Sequence, residues 1–399
     1  MMLGAGPEQA IAIQIARNLG LKVLAIDENQ DAPGLKIADS REVMNITDVT
    51  NLIDVGRKYN IDGVMTHAVE IPVVVAKIAQ ALHLPGIDPL VADRATNKLK
   101  RIQCFQEYAI PTARFLSASS LEEALAHSKF LKFPVVFKPI DSSGARGVVK
   151  ISSETDVRKY FSHTLHFSKQ QTILIEEFLN GFEISTESVV YKGTIHTPCI
   201  ADRNYTNKKL FEPFFIEDGG ELPTRLSQKK LKQVLYVVEE AIKALGITWG
   251  VAKGDILIDK NGPKVIEMAA RTSGGRFCSL KVPLSNGVNI LKPLIQMAVS
   301  DEPDMSSLVP QFNRGVAERF IFPDQGKISN ISGISEAKKI EGIYEIVVDN
   351  VIQIGNIIPT VENHTDRHGY VIAFGKTREI AVAKAEMAIN TIKIEVEPT

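Results

Sequence analysis

The sequence has little cysteine and no long apolar run. Its three cysteines, Cys104, Cys199 and Cys278, are widely separated and form no C-x-x-C spacing. Neither a disulfide framework nor a thiolate zinc site is therefore expected, and a reducing compartment fits best. No apolar stretch approaches the roughly 18 residues that a membrane span needs.

Charge of one sign is not in surplus either. The chain has 46 Lys and Arg against 47 Asp and Glu, which gives a formal charge of -1. This balance offers no field to attract nucleic acid or a membrane surface, and we expect neither partner. The first residues lack the basic region of a secretory signal, which favours a cytoplasmic protein.

The 399 residues are enough for two or three domains. Residues 1–92 alternate short strands with helical stretches, the pattern of a parallel sheet covered by helices. The first turn, GAGPEQ, lacks the third glycine of a dinucleotide fingerprint, and Glu8 and Gln9 occupy the place where a pyrophosphate needs bare backbone. A tight turn that leads into a helix is the favoured interpretation.

The rest of the chain mixes helices and strands in two further units, residues 93–300 and residues 301–399. A helix is expected from Asp93 to about Tyr108, and residues 201–225 are expected to be polar and irregular. A last helix is predicted from Thr377. The predicted fold class is therefore a multidomain protein of the α/β and α+β types.

Residues 142–147, in the stretch FKPIDSSGARGVV, form a loop rich in glycine and hydroxyl groups after Lys138. Glycine lets backbone N–H groups converge on an anion, and a lysine supplies a compact charge for phosphate oxygens. A Walker A loop would place the lysine after the glycines. An ordinary hairpin turn with a solvated lysine explains the pattern equally well, so both interpretations stay open.

Two carboxylates are expected to meet across the hairpin GVAKGDILIDKNGPKVIEMAAR. If its three-residue loop is centred on Asn261, then Asp255 and Glu267 face each other with Cβ atoms roughly 5 Å apart. Such a pair repels unless a cation lies between, and oxygen ligands of this kind favour Mg²⁺. Arg271 would then reach a phosphate held by the same ion. A register slip of one residue would instead make the two carboxylates solvent-side charges on opposite faces.

Acidic residues also cluster around the strand end EEF and the GFE that follows it. Glu176 and Glu177 end one strand and Glu183 opens the next, which suits an adenine amino group and ribose hydroxyls. A solvated acidic turn explains them equally well. His67 and Glu70 follow a short strand and fit a polar helix entry.

Taken in order, these motifs resemble those of the ATP-grasp superfamily. The resemblance rests on Lys98 in a helix, FKP with a glycine-rich loop, EEF with GFE, and a hairpin that ends in E-x-x-x-R-x-x-GG. It implies a pre-ATP-grasp parallel-sheet domain (residues 1–92), a nucleotide clamp (93–300) with a lid lobe at about 112–190, and a biotin-carboxylase-like C-terminal domain (301–399). The branch it resembles contains amino-acid ligases, biotin-carboxylase-like and carbamoyl-phosphate-synthetase-like enzymes.

The resemblance implies ATP and Mg²⁺ as cofactors, with Mn²⁺ as an alternative ion. The residues implied to bind ATP are Lys98, Lys138, Ser142, Ser143, Gly144, Gly147, Glu176, Glu177, Phe178 and Glu183. Asp255 and Glu267 would bind the metal, and Arg271, with Lys138 and Glu267, would be catalytic. Asp255 stands where a longer Glu is usual and Ala269 where many members carry a further Asn ligand, so we expect altered metal coordination.

The implied activity is that of an ADP-forming ligase of C–N bonds. The γ-phosphoryl group of ATP would pass to a carboxylate, and an amine would attack the resulting acylphosphate to form an amide or peptide bond. Small carboxylic acids and amines are the expected partners, and a homodimer is left open. The candidates for substrate binding are Glu217, Arg203, Arg276 and Glu70. A purine-pathway or carboxylase-like ligase and a non-catalytic nucleotide-binding protein are the alternatives.

Overall fold

The computed structural model describes residues 1–397, and its first part is a four-stranded parallel sheet. The strands are β1 (Met2–Leu3), β2 (Leu24–Asp27), β3 (Ser40–Val43) and β4 (Met65–Thr66), in the order β3-β2-β1-β4. The helices are α1 (Pro7–Asn18), α2 (Pro33–Ile37), α3 (Val49–Lys58) and α4 (Pro72–Ala81). Gly4 turns the chain out of β1 with a φ of +89°, and Pro7 opens α1. The turn and the short first strand are therefore as the sequence indicates.

Two helices connect this sheet to the next, α5 (Pro89–Thr96) and α6 (Lys98–Glu107). The sequence predicted one helix from Asp93, which is wrong. The backbone of Asn97 is extended, and its side chain accepts hydrogen bonds from the N–H groups of Leu99 and Lys100. Asn97 thus caps α6 and separates it from α5, which is a common role for asparagine.

The second sheet is antiparallel and small. Its strands are β5 (Phe115–Ala118), β6 (Val135–Pro139), β7 (Val149–Ile151) and β8 (Ile173–Glu177), in the order β5-β8-β6-β7. It is covered by helices α7 (Leu121–Leu131) and α8 (Glu154–His166). Val135, Phe137 and Ile175 from the sheet share a buried cluster with Val157 of α8, so this unit has its own hydrophobic core.

The remaining strands form a large sheet and a three-stranded sheet. They are β9 (Phe182–Tyr191), β10 (Thr194–Asn204), β11 (Gly219–Leu222), β12 (Gly250–Asp259), β13 (Gly262–Ala269), β14 (Gly315–Phe320), β15 (Gly326–Ser332), β16 (Ile343–Val348), β17 (Ile357–Ile358), β18 (Gly369–Gly375) and β19 (Lys393–Glu397). The eight-stranded sheet has the order β13-β12-β9-β10-β11-β14-β18-β16, and the small one β17-β15-β19. C-terminal strands therefore extend the sheet that contains the β12–β13 hairpin.

The last part of the chain also contains helices. They are α9 (Lys208–Phe211), α10 (Gln228–Leu245), α11 (Val282–Asn286), α12 (Leu291–Ala298), α13 (Ile334–Lys338) and α14 (Arg378–Thr391), with a π-helix at Phe277–Lys281 and 3-10 turns at Met305–Leu308 and His364–Asp366. Ala381 and Ala385 of α14 pack on Ala317 and Ala373 of the sheet. Because alanines are small, helix and sheet can approach closely.

The β12–β13 hairpin has the predicted pairing of Asp255 with Glu267, but its loop length and strand register differ from the prediction. Asp259 pairs with Gly262, so the loop has two residues instead of the predicted three. The register then shifts by one residue beyond Asp255, where Ile266 has no cross-strand partner, which is the effect of a β-bulge. The two differences offset each other, and Asp255 pairs with Glu267 as the sequence predicted.

The predicted fold class is confirmed, since a parallel-sheet unit precedes mixed α and β units. Residues 201–225 are more regular than expected, because they include the end of β10, helix α9 and strand β11. The boundaries at residues 92 and 300 stay predictions. Within the described chain, no helix is both long and apolar enough to cross a membrane.

Candidate active site

A cavity of about 490 Å³ opens between the small antiparallel sheet, the β12–β13 hairpin and the C-terminal strands. The predicted ATP, metal and catalytic residues that line it are Lys98, Lys138, Ser142, Ser143, Gly144, Glu176, Glu177, Phe178, Glu183, Asp255, Glu267 and Arg271. The substrate candidates Glu70, Arg203 and Glu217 line it as well. Gly147 and Arg276 are not among its lining residues. The fold thus gathers most of the predicted residues in one place.

The two lysines predicted to hold phosphates reach the cavity from different elements. Lys138, near the end of β6, pairs with Glu176 on the neighbouring strand β8. Lys98 opens α6, and its ammonium donates to the backbone carbonyl of Ser142. Burial lowers the pKa of Lys98 to about 8, although the carboxylate of Glu267 acts in the opposite direction. Two cations therefore lie beside the glycine-rich loop, an arrangement suited to phosphate oxygens.

The glycine-rich loop needs glycine for its backbone. Gly144 and Gly147 have φ values of +68° and +71°, which disfavour residues with a side chain. A Cβ atom at Gly147 would also lie 2.7 Å from Cδ2 of Phe167. The N–H of His364, from the C-terminal part of the chain, donates to the carbonyl of Gly144 at 3.0 Å. This hydrogen bond therefore attaches the loop to the segment that connects β17 and β18.

The acidic cluster around EEF is partly engaged in ion pairs. Glu177 accepts from Nε of Arg114 at 2.8 Å, while Phe178 lies below the ammonium of Lys150, 5.1 Å from its ring centre. Burial raises the pKa of Glu183, which lies 3.8 Å from a guanidinium nitrogen of Arg203. These residues line the cavity, and their roles towards adenine and ribose stay predictions.

Asp255 and Glu267 face each other, and a lysine lies between them. The ammonium of Lys253 is 2.5 Å from Oδ2 of Asp255 and 2.7 Å from Oε2 of Glu267. A guanidinium nitrogen of Arg203 lies 2.9 Å from the same Asp255 oxygen. Burial alone would raise the pKa of Glu267, but the positive charges of Lys253 and Arg101 hold it well below its usual value. The pair is thus already surrounded by cations.

The carboxylate pair fits a divalent ion in its chemistry. Both carboxylates line the cavity from one face of the hairpin, and oxygen ligands suit Mg²⁺. Ala269 offers no further ligand atom. Across residues 1–397, no group of three or more His, Cys, Asp or Glu side chains could hold a metal by itself. The remaining ligands of an ion bound here would therefore come from phosphate oxygens and water.

Arg271 follows β13 and is oriented by Glu70, which lies between β4 and α4. Its Nε donates to Glu70, and one of its terminal nitrogens donates to the carbonyl of Thr272 at 3.2 Å. The hydroxyl of Thr272 accepts from the N–H of Ala68 at 2.9 Å and contacts Nδ1 of His67 at 2.8 Å. Glu70 therefore contacts Arg271 directly, and the predicted polar helix entry positions a catalytic candidate.

The GAGPEQ turn supports the segment that follows Arg271. Oε1 of Glu8 accepts from the N–H of Arg276 at 2.5 Å, and its Oε2 accepts from the hydroxyl of Ser279 at 2.8 Å. Gln9 donates to the carbonyl of His67 at 2.5 Å. Glu8 and Gln9, which argue against a dinucleotide site, thus stabilise two segments that contribute residues to the lining of this cavity.

The part of the cavity near the C-terminal strands carries charges of both signs. Arg203 donates to Glu217 at 2.8 Å, and a nitrogen of Arg367 lies 3.9 Å from the same carboxylate. Lys281 pairs with Glu318 at 2.5 Å. Oε1 of Glu318, which is 2% exposed, has no hydrogen-bond partner within residues 1–397. Cations and carboxylates are therefore both available to a ligand.

Arg276, a substrate candidate from the sequence, is not brought to the cavity. Its guanidinium donates to Glu345 at 2.6 Å and to the hydroxyl of Tyr370 at 3.3 Å. It therefore joins the loop after Arg271 to the C-terminal strands β16 and β18.

Several cavity residues were not identified from the sequence. Lys253 had a signal, because it precedes Asp255 by two residues on one strand and must share its face. No signal in the sequence identified Lys281, Glu318 or Arg367, because only tertiary contacts bring these residues to the cavity. His364 also lines it, and burial together with Arg367 lowers its pKa to about 3.

Two parts of the chain match known protein families. Residues 131–280 match the ATP-grasp domain, and residues 319–397 match the L-amino acid ligase C-terminal domain 2. The formate-dependent phosphoribosylglycinamide formyltransferase of Nostoc sp. is 30% identical over 281 residues, which cover 66% of this chain and 69% of that protein.

Solved structures share the fold along nearly the whole chain. The L-amino acid ligase of Bacillus licheniformis superposes with a TM-score of 0.82 at 24% identity, covering 99% of this chain and 98% of that one. The biotin carboxylase domain of the 2-oxoglutarate carboxylase of Hydrogenobacter thermophilus, solved as a dimer with MgADP and bicarbonate, gives a TM-score of 0.74 at 17% identity, covering 99% and 90%.

The chain belongs to the ATP-grasp superfamily. It is an ADP-forming, ATP-dependent ligase of that superfamily, whose enzymes use Mg²⁺ with the nucleotide.

The ionisation of Lys98 gives a first testable prediction. Because burial lowers its pKa to about 8, the lysine loses its charge as the pH rises through that value, and its attraction for phosphate weakens. We expect kcat/KM for ATP, which reports the ionisation of the free enzyme, to fall above about pH 8. In Lys98→Arg, the side chain stays charged and the fall should shift to higher pH. A wild-type profile that is flat from about pH 7 to about pH 10 would contradict this role.

Proposed function

We propose that the protein joins a small carboxylic or amino acid to an amine and releases ADP and phosphate. The observation that carries this proposal is one continuous cavity with two unlike halves: lysines and the carboxylate pair in one, and a pocket with both signs of charge in the other. An amino acid carries an ammonium and a carboxylate, so such a pocket suits it. The match of residues 319–397 to an amino-acid ligase domain supports the same substrate class.

In this proposal, Lys98 and Lys138 bind phosphate oxygens and direct the γ-phosphoryl group towards the second half of the cavity. The substrate carboxylate attacks the γ-phosphorus, the bond to ADP breaks, and an acylphosphate forms. Arg271 carries the charge of the transferred group; burial would lower its pKa, but neighbouring carboxylates raise it, so the guanidinium stays charged. Mg²⁺ held by Asp255 and Glu267 would neutralise further charge on the phosphates.

The second step is attack of the amine on the acyl carbon, which releases phosphate and a proton. Oε1 of Glu318, which has no partner within residues 1–397, offers an acceptor for a substrate ammonium, while Lys281 pairs with the other oxygen of the same carboxylate. Closure of residues 142–147 would protect the acylphosphate from water. The hydrogen bond between His364 and Gly144 supports this, because it joins the loop to the substrate half of the cavity.

The experiment is a panel of amino acids and small acids, tested in pairs with MgATP. We expect ADP release that requires both members of a pair, and a product whose mass equals their sum less one water. If no pair of substrates causes ADP release although ATP binds tightly, the ligase proposal would be overturned. A nucleotide-binding protein without turnover would then be favoured.

A purine-pathway ligase is the second candidate, and the Nostoc relative favours it, because that protein is named for formate and phosphoribosylglycinamide. Arg367 and Arg203 could bind the phosphate of such a substrate. Formate with phosphoribosylglycinamide is therefore one arm of the panel. ADP release in that arm alone would favour the purine reaction. Whether the protein forms a homodimer, which the sequence left open, stays open.

A further inference from the structure

Lys253 occupies an unusual place for a lysine. It lies on β12, two residues before Asp255, and its side chain is only 11% exposed. Its ammonium contacts Asp255 and Glu267 together, at 2.5 Å and 2.7 Å. The lysine therefore fills the space between the two carboxylates that we propose as metal ligands.

The residue opposite Lys253 explains why the side chain can lie there. Lys253 pairs across the hairpin with Ala269, so the two side chains share one face. Ala269 has neither the bulk to exclude the lysine nor an oxygen to bind a metal. The hairpin thus provides a cation at a position where a third ligand is missing.

The charges around the pair leave little attraction for a bare metal ion. Asp255 contacts both Lys253 and Arg203, the latter at 2.9 Å. Glu267 contacts Lys253 and lies 3.9 Å from Arg101. Three cations thus contact the two carboxylates, and Arg203 is shared with two further carboxylates of the cavity. A divalent ion would add two positive charges, which become favourable only when phosphate groups bring negative charge with them.

We propose that the ammonium of Lys253 is a tethered counter-ion that competes with divalent metal for Asp255 and Glu267, so that metal binds tightly only together with nucleotide. This inference rests on the proposed metal site. Lys253 lines the cavity, and its three N–H donors can turn to a phosphate oxygen when the nucleotide arrives. The lysine then keeps a partner after it releases the carboxylates.

The test measures Mn²⁺ binding directly, by the electron paramagnetic resonance signal of free Mn²⁺, without any carboxylate or amine substrate. Wild-type protein without nucleotide should bind Mn²⁺ weakly, and ADP should strengthen binding beyond the Mn²⁺ that ADP binds in a protein-free control. Lys253→Met, which keeps the length and removes the charge, should bind Mn²⁺ about tenfold or more tightly without nucleotide, since it removes a competing charge. Unchanged affinity in Lys253→Met would overturn the proposal.

The matched control is Lys264→Met on the same hairpin. The ammonium of Lys264 lies 3.5 Å from Asp259 and 3.9 Å from Glu177, and this residue does not line the cavity. Its replacement should leave Mn²⁺ affinity unchanged. An equal gain in Lys264→Met would show a general charge effect and would overturn the specific role of Lys253.

Lys253→Met leaves two carboxylates facing each other, so its folding is monitored by circular dichroism. We expect a lower melting temperature without metal and a larger stabilisation by Mn²⁺ than in the wild type, because ligand binding stabilises the folded state. If this variant does not fold, the wild type alone decides: equally tight Mn²⁺ binding with and without ADP would overturn the proposal. These measurements need no turnover, so a failed substrate panel leaves them interpretable.

Discussion

Replacement of Glu267 with Gln should strongly reduce ADP formation while the protein still folds. The substitution keeps the size of the side chain but removes the charge that faces Asp255 and Lys253 across the hairpin. A metal ion contributes several kcal/mol of charge stabilisation to phosphoryl transfer, and each 1.4 kcal/mol is a factor of ten in rate. We therefore expect a fall of about 10³-fold in ADP release, measured with a coupled assay at saturating MgATP.

The control for this variant is Glu239→Gln on α10. Its carboxylate is half exposed and pairs with Lys243 on the same helix, outside the cavity. Surface pairs of this kind contribute little, so activity and melting temperature should stay at wild-type values. If Glu267→Gln turned over at the wild-type rate, the metal role of this carboxylate would be wrong.

Replacement of Arg271 with Met should reduce substrate-dependent ADP formation by about 10² to 10³-fold, the usual effect of removing one donor that stabilises charge in the transition state. ATP affinity should change much less, because Lys98 and Lys138 remain. The large loss of turnover is expected because Arg271 lines the cavity, where Glu70 holds its guanidinium in place. Turnover and nucleotide binding are measured separately, by coupled assay and by calorimetry.

Two further variants make the Arg271 experiment specific. Arg271→Lys should restore little activity, since an ammonium cannot reproduce the planar, two-pronged contact of a guanidinium. Arg57→Met, which removes an exposed arginine on α3 that pairs with Asp54, should behave as wild type. Equal losses of ATP binding and turnover in Arg271→Met would indicate a role in nucleotide binding instead of phosphoryl transfer.

The sequence was most informative where chemistry and local pairing coincide. The opposed carboxylates Asp255 and Glu267 follow from strand alternation and loop position, and the structure has them paired. The agreement depends on two local differences, a shorter loop and a bulge at Ile266. A bulge depends on backbone geometry that no residue pattern in this hairpin specifies, so the pairing could be predicted but its route could not.

Contacts between segments that are distant along the chain could not be predicted from the sequence. Lys281, Glu318 and Arg367 meet in the cavity because the C-terminal strands extend the large sheet beside β11. Arg276 had the residue type and neighbourhood of a substrate ligand, yet its guanidinium is bound by Glu345. A charged side chain near a catalytic motif has many potential partners, and only the folded arrangement selects one.

The contacts of Glu8 with the segment after Arg271 bear on how such enzymes can be recombined. Glu8 comes from the opening turn of the chain, whereas Arg276 and Ser279 lie more than halfway along it. A chimaera that exchanged the first parallel-sheet unit for that of a relative would leave these partners unmatched unless an equivalent acid came with it. The opening turn and the distant loop should therefore be inherited, or engineered, as a matched pair.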